Sequence, residues 1–330
     1  MKYVLITGSS GLVGSEAVNF FIKKKFKIIT VDNNLRKYFF GKNADTNWQK
    51  KNQIEKFKNE IIHNSVDIRN HKKISNIFSK YKNKIKCIIH AAAQPSHDWA
   101  YKDPTLDFDV NARATLHLLE CTKKFCSKAT FIYVSTNKVY GDTPNKLKIK
   151  EKKTRFEIVD KKYKKGINEN LSIDKSTHSL FGVSKCSADL LVQEYGRNLK
   201  LKTGVFRAGC ITGPKHSGAE LHGFLSYLVK CNLNKLKYNI FGYKGKQVRD
   251  NIHSYDLVNA FWHFHLKPKK GEVYNIGGSS MNSCSILEAI NLIETMTNQK
   301  MIYSFKQKNR VGDHICYISD ISKLRKHYPN

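Results

Sequence analysis

Residues 3–14 read YVLITGSSGLVG, and no other stretch of this chain constrains its architecture as strongly. The first five residues are mostly apolar and β-branched, which predicts a buried strand. Gly8 and Gly11 would let backbone N–H groups come close to a pyrophosphate, and Gly14 would let the following helix pack closely against the sheet. The stretch therefore predicts a strand, a phosphate-binding turn and the N-terminus of a helix.

A second signal lies at the end of the next predicted strand, residues 27–32. An acidic residue at that point accepts hydrogen bonds from the ribose hydroxyls of a dinucleotide. The charge of Asp32 would repel a 2′-phosphate, so the sequence predicts NAD rather than NADP. Asp67 follows the third strand and either contacts the adenine or caps the strand end. Ala91 and Ala92, after the fourth strand, leave room for the dinucleotide.

The rest of the first half repeats the same alternation of apolar runs and amphipathic segments. Strands are predicted at 3–7, 27–32, 61–66, 87–91, 130–135 and 203–207, and helices at 13–24, 71–81, 105–125 and 181–199. This order indicates an α/β protein with a Rossmann-type, doubly wound parallel sheet. Its ligand crevice is expected at the carboxyl ends of the strands.

Composition excludes several classes of function. The 58 Lys and Arg residues outnumber 27 Asp and Glu, a formal net charge of +31, but the excess is lysine spread along the chain. We therefore predict no nucleic-acid partner, although a positive field attracts a nucleoside diphosphate. No apolar run approaches the ~18–20 residues of a membrane span. The early strand at Tyr3 predicts no signal peptide, and eight scattered cysteines predict free thiols, no metal site and a cytoplasmic protein.

Several further motifs carry a family resemblance. With the glycine turn and Asp32, the segments HAAAQPSHDWA (90–100), VNARATLHLLE (110–120) and STNKVYGD (135–142) resemble the extended short-chain dehydrogenases/reductases. Within them, the chain is similar to the nucleotide-sugar epimerases and dehydratases. SIDKSTHS (172–179), GKQVRDNIHS (245–254) and VYNIGGSSMNS (273–283) are most similar to enzymes that invert C2 of a CDP-linked hexose.

The resemblance implies an isomerase of polysaccharide biosynthesis that uses NAD and passes through a keto-sugar. Thr136 would hydrogen-bond the reacting hydroxyl, and Lys185 would hold the nicotinamide ribose and lower the pKa of its neighbour. A 4-epimerase and a 4,6-dehydratase are the alternatives. The residues expected to bind NAD are Gly8, Ser10, Gly11, Leu12, Gly14, Asp32, Asn33, Asp67, Ile68, Ala91, Ala92 and Lys185.

The segment THSLFGVSK (177–185) departs from the family, which places a tyrosine four residues before the lysine. Phe181 keeps the ring but cannot shuttle a proton. Another group can take the proton. His178 is the first candidate, because residues i and i+3 of a helix share a face, and His97 or Asp98 are the alternatives. Otherwise the chain binds NAD and a sugar nucleotide without turnover, or its chemistry removes a carbon-bound proton and needs no phenol.

The anionic end of the substrate is expected at two late motifs. Arg249 in GKQVRD, and Arg310 in RVGD, would bind phosphate oxygens, and Asp313 would bind the nucleotide ribose. A CDP-hexose is the substrate class that the resemblance implies. The residues expected to bind it are Gln94, Ser96, His97, Thr136, Arg249, Arg310 and Asp313.

The domain organisation follows from the same pattern. We predict that residues 1–206, with about 238–266 returning to them, form the NAD-binding domain. Residues 207–237 and 267–330 would form a smaller, interleaved α/β domain that binds the nucleotide sugar. Apolar stripes along the helices at 105–125 and 181–199 predict the paired-helix homodimer typical of the family.

Overall fold

The structure is a computed structural model that describes residues 1–220, 222–307 and 312–329. Within these residues the strands, in chain order, are β1 Tyr3–Thr7, β2 Lys27–Val31, β3 Ile61–Asn64, β4 Ile85–His90, β5 Thr130–Thr136, β6 Ile149–Glu151, β7 Phe156–Ile158, β8 Lys202–Ala208, β9 Cys210–Thr212, β10 Tyr238–Phe241, β11 Val248–His253, β12 Glu272–Ile276, β13 Ser283–Ser285, β14 Tyr303–Lys306 and β15 Cys316–Tyr317.

The α-helices of the same residues connect these strands. They are α1 Leu12–Lys23, α2 Leu35–Phe40, α3 Asn47–Lys56, α4 His71–Tyr81, α5 His97–Lys102, α6 Pro104–Phe108, α7 Ala114–Phe125, α8 Leu180–Arg197, α9 Phe224–Leu233, α10 Ser254–Leu266, α11 Ile286–Thr297 and α12 Ser322–His327. A π-helical turn, Asp109–Arg113, joins α6 to α7 without a break. No helix in the described part of the chain is long and apolar enough to cross a membrane.

A seven-stranded sheet in the order β12-β8-β5-β4-β1-β2-β3 forms the centre of the molecule. Each neighbouring pair runs parallel. The chain moves outward in one direction through β2 and β3 and in the other through β4 and β5, so β1 and β4 flank the topological switch point. The carboxyl ends of these two strands therefore define the ligand crevice.

Both faces of this sheet are buried, which explains the continuous apolar runs of its strands. Successive residues of β1 alternate between two core clusters. Tyr3 and Leu5 pack with residues of α4, α7 and α8, and Val4 and Ile6 pack with residues of α1 and α10. The predicted doubly wound α/β fold is confirmed.

Smaller sheets cover the crevice. β11 pairs with β9, β13 and β15, and β10 pairs with β14. Helices α9 and α11 pack on the latter pair through Leu228, Ile240 and Ile290.

The predicted domain limits stay a prediction, but two segments lie elsewhere than we expected. Glu272–Ile276 belongs to the large sheet, and of residues 238–266 it is α10 and Ile252 of β11 that pack against that sheet. A short apolar strand has the same sequence pattern in the large sheet and in the small ones, so sequence alone does not assign it to either.

A buried ion pair ties the helix that carries Lys185 to the sheet. Arg207 on β8 donates from Nε and Nη2 to Asp189 on α8, at 3.0 and 2.9 Å. Their side chains are 5% and 0% exposed. Asp189 also accepts the hydroxyl of Ser135 on β5 at 2.6 Å. This network fixes α8 against the ends of β5 and β8, where the crevice lies.

The buried Arg207–Asp189 ion pair leads to a prediction about the stability of the protein. Replacing Asp189 with Ala leaves a guanidinium buried without its carboxylate, so Asp189→Ala should lower the free energy of unfolding by about 3–5 kcal/mol in urea titrations. Glu157→Ala removes one partner of an exposed ion pair and should change it by about 1 kcal/mol or less. Equal effects of the two substitutions would contradict the assigned role of the buried pair.

Candidate active site

One cavity of about 470 Å³ lies at the switch point, between the large sheet and the smaller sheets. It brings together residues more than 300 positions apart in sequence, from the glycine turn to Asp313. The residues predicted from sequence that line it are Gly8, Gly11, Leu12, Gly14, Asp32, Asn33, Asp67, Ile68, Ala91, Ala92, His97, Thr136, Phe181, Lys185, Arg249 and Asp313.

The glycine turn leaves no room for side chains and so fits a dinucleotide. Gly8 adopts a φ of +67°, and a Cβ added there would lie 2.7 Å from the backbone nitrogen of Ala92. A Cβ on Gly14 would lie 2.1 Å from the carbonyl oxygen of Gly8. Gly14 therefore lets α1 approach the turn itself, rather than the sheet as we expected. Helix α1 begins at Leu12, and its N-terminus favours an anion at this position.

The carboxylate of Asp32 accepts two backbone N–H groups beside the glycine turn. Its Oδ2 accepts the backbone N–H of Ser10 at 2.8 Å, and its Oδ1 accepts that of Asn34 at 2.7 Å. Burial raises the pKa of Asp32, although these hydrogen bonds oppose the shift. Each carboxylate oxygen has a further lone pair for a ribose hydroxyl. Ser10 is buried behind Asp32 and contributes through this bond rather than as part of the cavity wall.

Asp67 and Asn33 form a second polar group beside the turn. Asn33 Nδ2 donates to Asp67 Oδ2 at 3.0 Å, and Arg69 donates to both carboxylate oxygens of Asp67. These contacts lower the pKa of Asp67 although its partial burial opposes them. Asp67 therefore has structural partners and also lines the cavity. Its position fits both an adenine contact and a cap at the end of β3.

Thr136 and Lys185 both line the cavity. Thr136 ends β5, and its hydroxyl accepts the backbone N–H of Lys138 at 3.2 Å. Lys185 Nζ donates to the carbonyl of Val134 at 2.9 Å and lies 4.4 Å from the centroid of the Tyr133 ring. Burial lowers the pKa of Lys185 to about 7, against the attraction of Asp189 and Asp107.

Phe181 lies one helical turn before Lys185 and is 6% exposed. Its ring meets the ring of His97 edge-on, with centroids 4.9 Å apart. His178 is not part of the cavity wall: its Nε2 bonds the carbonyl oxygen of Ile173 at 2.9 Å, and its Nδ1 is buried without a hydrogen-bond partner. The i, i+3 argument placed His178 near the ring because it assumed a helix, whereas α8 begins only at Leu180.

Gln94 and Ser96 also differ from their predicted role, because both side chains are used within the protein. Gln94 Nε2 donates to Asp107 Oδ1 at 2.6 Å, and Gln94 Oε1 accepts the N–H of Ser96 at 2.5 Å. Ser96 caps α5. Asn111, in the π-helical turn, accepts the N–H of Gln94 at 2.9 Å. These residues hold the loop that presents His97 and are not among those lining the cavity.

A compact cluster of charges, with two cations and one carboxylate, lies on the cavity wall. Arg249 on β11 donates to Asp313 Oδ1 and, at 2.7 Å, to the carbonyl of Val248. Lys138 Nζ lies 3.5 Å from the same Asp313 oxygen. Burial opposes the charge of Arg249, but the Asp313 carboxylate outweighs it and the pKa of Arg249 is raised. Arg310 lies outside the described residues.

Sequence reasoning missed a guanidinium on the cofactor side of the cavity. Arg36 donates to the carbonyl of Ser217 at 2.7 Å and lies 3.2 Å from His222 Nδ1, while its guanidinium lies 5.1 Å from the centroid of the Phe40 ring. Burial lowers the pKa of Arg36 to about 10. The available signal was a cation four residues after Asp32, but its partners are more than 180 residues away and only the fold shows them.

The sheet, the glycine turn, Thr136 and the buried Lys185 define the class: an enzyme that holds a dinucleotide at the switch point of a Rossmann-type fold. The model of the NAD dependent epimerase/dehydratase family matches residues 4–277. The chain belongs to this family. It is an NAD-dependent enzyme, and the predicted resemblance to nucleotide-sugar epimerases and dehydratases is confirmed.

Three comparisons illustrate that membership. The chain is 32% identical over 329 residues to CDP-paratose 2-epimerase of Salmonella typhi, covering 97% of this chain and 92% of that protein. It is 31% identical over 288 residues to dTDP-D-glucose 4,6-dehydratase of Dictyostelium discoideum, covering 84% and 58%. Its fold matches UDP-glucuronic acid 4-epimerase from Bacillus cereus, solved with UDP-glucuronic acid and NAD, with a TM-score of 0.78, 24% identity and coverage of 99% and 93%.

Asp32 provides a direct test of the cofactor site. Asp32→Ala removes the carboxylate expected to accept the ribose hydroxyls and leaves the N–H groups of Ser10 and Asn34 without their acceptor. A hydrogen bond to a charged group contributes about 1.5–3 kcal/mol, so the Kd for NAD should rise roughly 10- to 100-fold by calorimetry. Asp256→Ala, at an exposed position of α10, is the control. An unchanged Kd in Asp32→Ala would show that Asp32 does not bind the ribose.

Proposed function

We propose that this protein epimerises a nucleotide-activated hexose through a transient keto-sugar, and that its reaction is most like that of CDP-paratose 2-epimerase. One observation carries the proposal. A single cavity contains the dinucleotide turn, the Thr136 and Lys185 pair and the cationic Arg249. The similarity to the Salmonella typhi enzyme over 97% of the chain supports the choice of C2 and of a CDP-sugar.

The charges along the cavity suit a nucleoside diphosphate. Arg36, Lys138, Lys185, Lys215 and Arg249 line it, and the whole chain carries a formal charge of +31. A positive cleft raises the local concentration of an anionic ligand and speeds its association. The planar guanidinium of Arg249 matches two phosphate oxygens at once. A diphosphate at this end would leave the hexose between Thr136, Phe181 and His97.

The residues of the chain then have distinct roles. Gly8, Gly11 and Asp32 would hold NAD⁺, which when bound would supply the hydride acceptor and donor for one sugar carbon. Thr136 hydrogen-bonds the reacting hydroxyl and fixes its orientation. Lys185 places positive charge beside the oxygen that becomes the carbonyl. Phe181, almost fully buried, keeps water away from the keto-sugar.

The 31% identity to a 4,6-dehydratase favours that reaction as the second candidate. Dehydration needs an acid that protonates a leaving hydroxyl, and the residues after Thr136 are Asn137 and Lys138 rather than carboxylic acids. The ammonium of Lys138 is held by Asp313 and by the carbonyl of Gly312 at 2.8 Å. The missing phenol favours a third candidate, a protein that binds NAD and a sugar nucleotide without turnover.

One experiment separates these candidates. Purified protein is incubated in D₂O with CDP-paratose and with a panel of CDP-, UDP-, GDP- and dTDP-hexoses, and products are resolved by NMR. We expect inversion at C2 of the CDP-sugar with no deuterium on carbon. Deuterium at a sugar carbon would indicate removal of a carbon-bound proton, water loss would indicate the dehydratase, and tight binding without turnover would indicate the binding protein.

Lys185 should be required for that inversion. Lys185→Met keeps most of the side-chain volume but removes the charge beside the reacting oxygen, and kcat should fall at least 100-fold while the Kd for the CDP-sugar changes little. General acid–base and electrostatic contributions of this size are common at such positions. The control is Lys200→Met, at an exposed position. Full activity of Lys185→Met would exclude the assigned role.

We also propose that two copies of the chain associate through α6, α7 and α8. These helices pack side by side, and they expose Phe108, Leu116, Leu180, Val183 and Leu190 at 38–47% of their surface. Large apolar patches of this kind mark association surfaces. A parallel pairing with the same patch of a second copy would bury all five side chains at once.

The dimer has its own test. Light scattering coupled to gel filtration should give twice the mass of the 38.0 kDa chain. Leu116→Glu combined with Leu190→Glu should give a monomer with unchanged secondary structure, because charges would be buried at the interface. Leu266→Glu, at an exposed position on α10, should remain dimeric. A monomeric wild-type protein would refute the proposal.

A further inference from the structure

Phe181 leaves the proposed reaction without its usual proton acceptor. A hydroxyl cannot become a carbonyl unless its proton leaves, and a phenyl ring cannot take it. We infer that the imidazole of His97 accepts this proton and returns it in the reverse step. The inference rests on the proposed function, because it names the acid–base group of that same site.

The ring of His97 is held in a fixed position on the cavity wall. The ring of Phe181 meets it edge-on at 4.9 Å. Its Nδ1 lies 2.7 Å from the hydroxyl oxygen of Ser179. A Cβ built on Gly312, which has a φ of +72°, would lie 2.9 Å from His97 Cε1, so the backbone of Gly312 packs against the ring. Helix α8 with its N-cap Ser179, and the backbone of Gly312, therefore orient one imidazole beside the ring of Phe181.

The bond to Ser179 is compatible with the useful tautomer. Ser179 caps α8, and its hydroxyl oxygen already accepts the N–H of Gly182 at 3.1 Å. That oxygen has a second lone pair, which can accept a proton from Nδ1. With Nδ1 as donor, the neutral imidazole carries its basic lone pair on Nε2. When Nε2 takes a proton, the same bond stabilises the imidazolium, as an orienting partner does for other catalytic histidines.

Four other titratable groups are less suited to act as the base. His178 is used on the carbonyl of Ile173 and lies outside the residues that line the cavity. Burial raises the pKa of the Cys210 thiol to about 12. Asp313 is paired with Arg249 and Lys138. Lys185 is directed to the carbonyl of Val134, and its charge is needed to stabilise the developing oxyanion.

The proton transfer balances within the proposed reaction. The O–H bond of the sugar breaks, an N–H bond forms on Nε2, and the hydride of the same carbon goes to the nicotinamide cofactor. In the return step Nε2 gives the proton back to the oxygen as the carbonyl is reduced on its other face. Neither the histidine nor the cofactor is changed over the cycle.

The test uses the whole protein with CDP-paratose as the probe, and four forms of the chain. His97→Gln keeps a polar side chain but has no basic nitrogen, so kcat should fall at least 100-fold while the Kd for CDP-paratose, measured by calorimetry, changes less than threefold. Adding Phe181→Tyr to His97→Gln supplies a phenol beside Lys185 and should restore kcat at least tenfold over His97→Gln. Phe181→Tyr alone is the control for the tolerance of the hydroxyl.

The tautomer of His97 can be measured without turnover. Long-range ¹H–¹⁵N spectra of protein labelled at histidine, assigned by the signals lost in His97→Gln, should show His97 with Nδ1 protonated and Nε2 bare. Ser179→Ala should remove that preference. A proton fixed on Nε2 in the wild-type protein would overturn the assignment.

The outcomes separate the two proposals. If wild-type protein turns over none of the sugar nucleotides, the proposed function fails and the acid–base assignment fails with it. If wild-type protein inverts C2 and His97→Gln does so at the same rate, only the assignment to His97 is wrong. A loss of activity in His97→Gln that the added phenol does not restore, with the Kd for CDP-paratose raised in proportion, would assign His97 to binding instead.

Discussion

The close approach of three backbone segments at the switch point is the constraint on which this structure depends. Gly8 abuts the backbone of Ala91 and Ala92, and Gly14 abuts the carbonyl of Gly8, at distances that no side chain tolerates. Because β1 and β4 are neighbours and run parallel, their carboxyl ends share one edge. A crevice lined by backbone N–H groups follows, and every other element of the site is placed around it.

Much of the fold could be predicted because its signals are local. Strands such as Tyr3–Thr7 lie in a sheet buried on both faces, so they appear as unbroken apolar runs, and helix His71–Tyr81 carries a clear apolar stripe. The short strands of the second half carry no such signal. Glu272–Ile276 joins the large sheet and Val248–His253 joins a small one, yet both are mixed apolar and polar segments of similar length. Only their pairing partners distinguish them.

The same difference between local and tertiary signals explains which site residues were predicted correctly. Residues within a motif whose backbone shape is local, such as the glycine turn and Asp32, lie where the sequence placed them. Gln94 was expected on the substrate, but its amide is fully engaged by Asp107 and Ser96, and nothing in the sequence shows which buried partner a polar side chain will find. His178 was chosen by a helical i, i+3 spacing from Phe181, but it precedes α8, which begins at Leu180. Arg36 depended on contacts with Ser217 and His222 that arise only from tertiary structure.

The charge cluster at the other end of the cavity bears on how a substrate could be both bound and released. Arg249 is buried, and a buried guanidinium without a counterion would be strongly unfavourable. Asp313 supplies that counterion in the absence of ligand, and Lys138 shares it. A diphosphate entering the site would therefore find cations that are already oriented, and it would compete with one carboxylate rather than with bulk water. Its net gain is smaller than that of a phosphate meeting an unpaired arginine. If the proposed diphosphate binds here, the exchange of one anion for another would keep Arg249 paired, and competition from Asp313 would limit how tightly the product is held.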